Sequence, residues 1–487
     1  MLRQPRHADL GSLATEQTDG DATFQLRDGG RIAVIGGGPA GSFTSYFLLD
    51  MADMVGLDID VDIYEPRNYT RPGPSGCNHC GGIVSETLVQ LLATDGINLP
   101  TSVVQRGIDS YVLHMDLGSV RIETPLQEKR IAAVHRGAGP RGVVEPKWKS
   151  LDGYLLGLAL EKGAHLIPER VDHLAWVDGR PEVKTRMGLP QTYDLVVGAV
   201  GVNTNALKLF SQLEFGYEPP QTTKTYICEL PFGEEFVERY AGNSMHVFLL
   251  DLPQLEFAAI IPKGEFLTVC LLGESIDKEL VQTFLSSPEV ERCLPPGWEM
   301  PEVYCHCSPM INIQGASVPY ADRLVLVGDC GATRLFKDGI GAAYRSAKIA
   351  ASTAIFKGVS ADAFKAHYLP SYRAIGADNR LGKLVFAITH QIQKHGLGRR
   401  MLIRMVSREQ RRKDAVQRMS LVLWDTFTGS ASYREILLRG MHPFFVLQLL
   451  RHLCVATVRH AIAGIRSLTM RWRKPLSQQR STLEEMP

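Results

Sequence analysis

Residues 31–66, RIAVIGGGPAGSFTSYFLLDMADMVGLDIDVDIYEP, restrict the fold more than any other part of the chain. Residues 32–35 form a short apolar run, mostly β-branched, as expected for a strand buried on both faces. Gly36, Gly38 and Gly41 follow in G-x-G-x-x-G register. The first glycine permits a tight turn, the second lets backbone approach a pyrophosphate, and the third lets the following helix pack close on the strand. That helix, expected over 38–54, aims its N-terminal N–H groups and dipole at the phosphates. Residues 61–64 read as the second strand. Glu65 ends it, 24 residues after Gly41, where an acid accepts hydrogen bonds from a ribose. The spacing predicts a strand–turn–helix–strand unit holding a dinucleotide. Gly36, Gly38, Ala40, Gly41 and Glu65 are its candidate contacts, and Arg67 is a further charged one.

With 487 residues there is room for more than one domain and a large core. Hydrophobic residues make up 45% and charged residues 22%, which excludes a chain disordered throughout. Nine irregularly spaced cysteines do not make a disulfide framework and suit a reducing compartment. The polar first 30 residues carry no apolar core of a signal peptide and read as a leader without fixed structure. No apolar run is as long as a membrane span, so a cytosolic location is expected. Charge is uneven: residues 380–480 hold 20 Lys/Arg against four acids, while the remainder holds 33 basic and 48 acidic residues.

After Pro66, Pro and Gly cluster over 72–76, and Cys77 and Cys80 flank a short turn. Gly81 and Gly82 precede a helix expected from Ser85. A loop so rich in glycine, just after the second strand, can lie over the reactive part of a cofactor. Residues 112–122 read as strands, and 150–167 as a helix followed by a strand, a crossover back to the sheet. Residues 194–201, DLVVGAVG, are another buried strand running into a glycine turn, a second place for backbone to meet a nucleotide. The strand-like runs 225–230, 245–250, 257–261 and 266–272 predict an inserted antiparallel sheet covering a substrate. At 324–327 the chain returns to a buried strand and then Gly328-Asp329. Asp338-Gly339-Ile340-Gly341 opens a helix rich in alanine. Asp329 suits a ribityl or ribose hydroxyl, and the N–H groups at the start of that helix suit an anionic or carbonyl acceptor.

These pieces, in this order over about residues 31–350, resemble the para-hydroxybenzoate hydroxylase superfamily of flavoproteins, and within it the geranylgeranyl reductase family. Gly36, Gly38, Gly41 and Glu65 match the family's motif for the adenosine half of FAD. Cys80-Gly81-Gly82 matches its Cys-Gly-Gly loop near the flavin ring, and Gly328-Asp329 its ribityl and pyrophosphate motif. Asp338-Gly339-Ile340 falls where the family has Gly-Glu-Gly-Ile, which makes Gly339, Ile340 and the following Gly341 candidate cofactor contacts. Val200 stands where the motif D-x-V-x-G-A-D-G has the aspartate before its final glycine. Residues 257–263, FAAIIPK, resemble Y-x-W-x-F-P-K with most aromatics replaced. The resemblance implies an α/β fold: a Rossmann-type FAD domain (31–204 and 321–375), an inserted β domain (205–320) and a basic helical region (376–487). It implies FAD as cofactor and an apolar, isoprenoid or lipid substrate. There is no second G-x-G-x-x-G, so NAD(P)H as external reductant would dock without its own Rossmann domain.

Cys80 is the candidate catalytic residue, because the two glycines after it leave room for a bulky ring. Cys77 and Cys80 as plain structural thiols, or as metal ligands together with Cys305-His306-Cys307, are the alternatives; no metal is expected. In the tail, residues 443–474 place Gln448, Arg451, His452, Arg459, Arg466 and Arg473 on one arc at about 100° per residue, beside a broad apolar face. This pattern predicts a helix lying in an anionic membrane interface on the inner face, rather than one binding nucleic acid. The function expected is an FAD-dependent oxidoreductase. A monooxygenase hydroxylating a hydrophobic substrate, and a non-catalytic FAD-bound redox sensor or scaffold, are the alternatives.

Overall fold

The structure is a computed structural model that describes residues 21–73, 81–124, 131–141, 143, 146–412, 417–443, 447 and 451. The apolar run after Arg31 forms the central strand, Gly30–Ile35, of a six-stranded sheet. It pairs in parallel with Ile59–Tyr64 on one side and Leu195–Gly198 on the other. His165–Ile167 and Leu324–Leu326 extend these two sides in parallel, and Tyr320–Ala321 closes one edge antiparallel. Strands buried on both faces need cover on both. The helices Pro39–Met54 and Gly339–Phe356 pack on each other, with Phe43 and Phe47 edge-on to Tyr344 at ring separations of 5.6 Å. Ala343, Ala347, Ala350 and Ala354 let these helices approach closely, and all four are buried.

Residues 21–30, assigned to the leader, belong to this unit. Gly29 donates to the Asp58 carbonyl at 2.9 Å, Val359 donates to that of Phe24 at 2.8 Å, and Arg323 reaches the Thr23 carbonyl at 2.6 Å. The leader reading therefore does not extend past residue 20, and residues 1–20 lie outside the described residues.

The expected second sheet has seven strands, in the order Cys305–Cys307, Tyr226–Pro231, Phe266–Gly273, Leu255–Lys263, Ser244–Phe248, Ser110–Met115 and Gly118–Glu123. Its pairs are antiparallel except Ser244–Phe248 with Ser110–Met115. Two strands thus come from residues 110–123, far outside the 205–320 insertion. Their alternation gives the reason: Tyr111, Leu113 and Met115 are fully buried on one face and continue the apolar face that Met245 and Val247 present from the same sheet.

The C-terminal helices Leu369–Lys394, Gly396–Arg411, Arg418–Thr428 and Tyr433–Gly440 cover that same face. Trp424 is wholly buried beside Tyr111, and its indole N–H donates to Glu86 Oε1 at 3.0 Å. The helix Gly396–Arg411 buries Met401, Leu402, Met405 and Val406, and Arg399 pairs with Asp116 at 2.8 Å. Apart from positions 443, 447 and 451, the amphipathic stretch 443–474 lies outside the described residues. Among the described residues, no helix is long and apolar enough to cross a membrane.

Candidate functional site

Four strands of the parallel sheet end on one cavity of about 510 Å³. Open α/β sheets take their ligands at the carboxyl ends of strands, where chain order reverses direction. Here the reversal falls between Gly30–Ile35 and its two neighbours. Gly36 leaves the first strand at φ +108°, and a Cβ there would lie 2.5 Å from the Ala199 carbonyl oxygen. A Cβ on Gly41 would lie 1.8 Å from the Gly36 carbonyl oxygen, so only glycine lets the helix seat against the turn. Gly38 is the N-cap of the helix, with Pro39 in its first turn, and a glycine has no side chain that could cap it. The first N–H groups therefore remain for a ligand.

Glu65 is buried, and its carboxylate is held by three donors. Gly37 N–H and the Tyr69 hydroxyl give to Oε2 at 2.9 and 2.8 Å, and Arg67 N–H gives to Oε1 at 2.8 Å. A carboxylate accepts about four hydrogen bonds, so one position remains toward the cavity that Glu65 lines.

Gly36, Gly38, Ala40, Glu65, Arg67, Gly81, Gly82, Asp329, Gly339 and Ile340 all face this one cavity. Gly41, Gly328 and Gly341 stand behind its wall, where each permits a close approach. A Cβ on Gly328 would lie 2.6 Å from that of Ala40, and one on Gly341 2.0 Å from the Asp338 carboxylate. Gly82, at φ +69°, would put a Cβ 1.9 Å from the Val134 carbonyl. Cys77 and Cys80 lie outside the described residues. Cys305–Cys307 forms an edge strand of the seven-stranded sheet. Cys330 donates its thiol to the carbonyls of Gly198 and Val327, both at 3.1 Å, and burial pushes its pKa up to about 12. It is a packing residue.

Asp329 is turned to the cavity rather than to outer solvent. Burial raises its carboxyl above the usual range, and the nearby charge of Arg136 offsets part of the rise. Arg136 is held by a two-pronged bond to the fully buried Asp152, at 2.9 and 2.8 Å. Asn312 donates to the Asp329 carbonyl at 3.1 Å, and its own carbonyl oxygen is buried at the cavity wall with no partner among the described residues. An unpaired buried acceptor there calls for a donor on whatever fills the cavity.

Asp338, in the left-handed conformation at φ +55°, caps the second helix and pairs with Arg334 at 3.0 Å and with Arg345. Lys337 beside it donates to the carbonyls of Asp425 and Ala431 at 2.9 and 3.3 Å and sits 4.0 Å from the Tyr433 ring centroid. Burial, then the charge of Arg334, lower its pKa to about 7.

Away from the glycine cradle the wall becomes apolar. Met245, Phe257, Ala259, Ile261 and Leu272 supply it from the seven-stranded sheet, and Phe427 from the C-terminal helices. Behind Gly82 lies a buried charged group: Lys263, fully inaccessible, stands 3.5 Å from Glu229, which also accepts from Thr268 at 2.6 Å. His135 is 3.8 Å from Glu229, and burial lowers its pKa to about 4.

Sequence reasoning missed Arg136, Asn312, Lys337 and the contribution of residues 427–428. The last of these had no signal at all, because a lone Phe-Thr on a helix matches no motif. Arg136 had a partial one, as the second of two polar residues, His135 and Arg136, that follow the buried run 131–134.

No protein-family model matches the chain, and neither does any curated protein sequence. Solved structures do resemble it. The halogenase PltM in complex with phloroglucinol and FAD is 13% identical, with a TM-score of 0.55 over 89% of this chain and 92% of that one. CmlS, a flavin-dependent halogenase, is 16% identical, with a TM-score of 0.55 over 91% and 78%. A flavoprotein/dehydrogenase from Cytophaga hutchinsonii is 13% identical, with a TM-score of 0.56 over 89% and 100%. At these identities the likeness is one of fold. The chain has a Rossmann-type flavoprotein fold, with parallel strands, a second sheet and a C-terminal helical region.

Proposed function

We propose that the chain is an FAD-dependent oxidoreductase acting on an apolar substrate of isoprenoid or other lipid type, with NAD(P)H as external reductant. The observation that carries this reading is continuity: one cavity joins the glycine cradle at Gly36 and Glu65 to the aliphatic chamber at Ala259 and Ile261. The cradle fits a dinucleotide on three counts. Backbone approaches where a side chain would clash, a helix N-terminus is uncapped, and the Asn312 carbonyl oxygen has no donor among the described residues.

Glu65 would take the adenosine ribose, the N–H groups at Gly38 and the Arg136 guanidinium the pyrophosphate, and Asp329 the ribityl chain. When bound, FAD supplies two-electron chemistry at its ring, and the protein orients and tunes. Lys337 can hold or release a proton at Nζ near neutral pH. The aliphatic wall excludes water and orients an apolar chain through burial alone. Geranylgeranyl reductase-like chemistry is the reduction that such a chamber suits best.

The C-terminal region is proposed to hold the enzyme on an anionic membrane. Leu384 and Ile388, about half exposed, form one stripe with exposed Arg380 on the helix Leu369–Lys394, beside exposed Lys383. Such a stripe joins apolar burial to charge attraction of about 1 kcal/mol per basic residue. Liposome co-sedimentation at low and high salt tests it; protein that stays in the supernatant with anionic vesicles at low salt ends this part of the reading.

An oxygen-dependent reading, monooxygenase or halogenase, is the second one, and two of the fold neighbours are halogenases. The test of the whole is purification of the full chain, its absorbance spectrum and the mass of any released cofactor. NAD(P)H oxidation is then followed with and without oxygen uptake. Folded protein that carries no flavin and takes none up sinks both readings. Oxygen consumption coupled to NAD(P)H selects the second.

A further inference from the structure

On the face of the seven-stranded sheet turned away from the cavity, three side chains from distant parts of the chain converge. Met245 and Val247 point to the cavity side, so His246 between them points to the other. The same alternation turns His114 away from Leu113 and Met115. Cys293 follows the short helix Pro288–Glu291, part of a helical excursion lying over this face. His114 Nε2 and His246 Nδ1 are 2.9 Å apart, and Cys293 Sγ is 3.7 Å from the first and 3.5 Å from the second.

We propose that His114, His246 and Cys293 bind one d10 metal cation, zinc(II) or its soft counterpart copper(I), as a structural His₂Cys centre separate from the flavin chemistry. A tetrahedral zinc with bonds of ~2.0–2.1 Å to nitrogen and ~2.3 Å to sulfur places its ligand nitrogens ~3.3 Å apart, and nitrogen and sulfur ~3.6 Å apart. The two sulfur–nitrogen separations match this already, and the nitrogen pair must open by a few tenths of an ångström.

The support around the ligands has the form such centres use. Ser119 Oγ lies 2.8 Å from His114 Nδ1, so that nitrogen can donate its proton outward and leave the Nε2 lone pair for a cation. The two imidazoles stack at 5.1 Å and 11°, and Phe248 stacks on His114 at 4.6 Å and 14°, which fixes both rings. Burial holds both rings neutral, with pKa values lowered to about 3 for His114 and about 4 for His246. Neutral imidazole is the binding form. Burial raises the Cys293 thiol to about 11, and the Arg292 charge offsets part of that rise. A cation would displace the thiol proton to solvent on forming the metal–sulfur bond. His246 and Cys293 are only partly buried, which leaves a path for the ion and a fourth position for water.

The centre would clip the excursion onto the sheet above Phe284 and Val290, both fully buried. Among the described residues this is the one cluster of three or more such ligands.

The test uses untagged full-length protein, analysed for zinc and copper after purification and again after dialysis against zinc(II) or, anaerobically, copper(I). The expected result is one metal per chain, lost in both Cys293→Ser and His246→Asn. Substitution by cobalt(II) should give d–d bands to the red of the flavin absorbance, absent in Cys293→Ser. Flavin content serves as the folding control, since the sheet separates the two sites, and both variants should retain it. Substoichiometric metal under all loading conditions overturns the proposal. So does full metal occupancy in both variants.

Discussion

The two sheets meet at one cavity but build their shares of it in opposite ways. The parallel sheet contributes backbone: an uncapped helix N-terminus and glycines at positions where a Cβ would strike a carbonyl 2.5 or 1.8 Å away. The seven-stranded sheet contributes side chains, a row of Met245, Ala259, Ile261 and Leu272 that any aliphatic residues of similar size could replace. The cradle should therefore fail all at once on a single substitution. The chamber should yield gradually and change what it admits.

The largest effect is expected at Gly41→Ala. A methyl group 1.8 Å from the Gly36 carbonyl cannot be relieved by a side-chain rotation, so helix and turn must separate. Overpacking typically costs about 1–3 kcal/mol, and a backbone contact this close lies at or above that range. Thermal melts should show the loss, and the purified variant should be colourless. Wild-type flavin content in this variant would break the distinction between the two sheets.

The buried charge behind Gly82 comes next. Lys263→Met leaves Glu229, 13% exposed, without its ammonium, and removing one partner of a largely buried pair costs roughly 3 kcal/mol. The double variant Lys263→Met with Glu229→Leu should recover most of that loss in a denaturant titration. If the double variant is as unstable as the single one, the pair matters through its hydrogen bonds rather than its charges.

Ala259→Trp probes the chamber alone. Ala259 lines the cavity, so an indole there shortens the space without touching the cradle. Flavin content should stay at the wild-type level, while long apolar ligands lose roughly 10–100-fold in apparent affinity, the scale set by a few misplaced methylenes. A parallel loss of flavin would mean the two halves of the cavity are not separable.

The same contrast explains what could be read from sequence. The strand–turn–helix geometry at Gly36, Gly38 and Gly41 was legible because a turn with backbone packed this closely accepts few residue types at few spacings. Residues 110–123 were not assigned to the second sheet, because alternation predicts a strand and never its neighbour. Arg136 needs Asp152 to hold it, and Asn312 reaches the carbonyl of Asp329, 17 positions further along the chain. Such contacts are created by the fold and leave no periodic trace. The basic C-terminal helices announced their charge, yet their apolar face serves the protein's own core at Met401, Leu402 and Trp424.

The smallest effect expected is a pH dependence that belongs to the side-chain-built half. His135 is neutral in the folded protein down to about pH 4, because burial outweighs the attraction of Glu229. In the unfolded chain it takes a proton near pH 6.5. Between these values the unfolded state binds more protons, so folding stability falls as pH falls through 6.5 toward 4. One group of this kind can shift stability by at most about 1.4 kcal/mol per pH unit, so the first unit below 6.5 should cost about 1 kcal/mol. His135→Gln cannot bind that proton, and its stability relative to wild type should improve by this amount between pH 6.5 and 5.5 in matched urea titrations. A wild-type-minus-variant difference that is flat over this range would mean that His135 is solvated and that the group behind Gly82 opens to water.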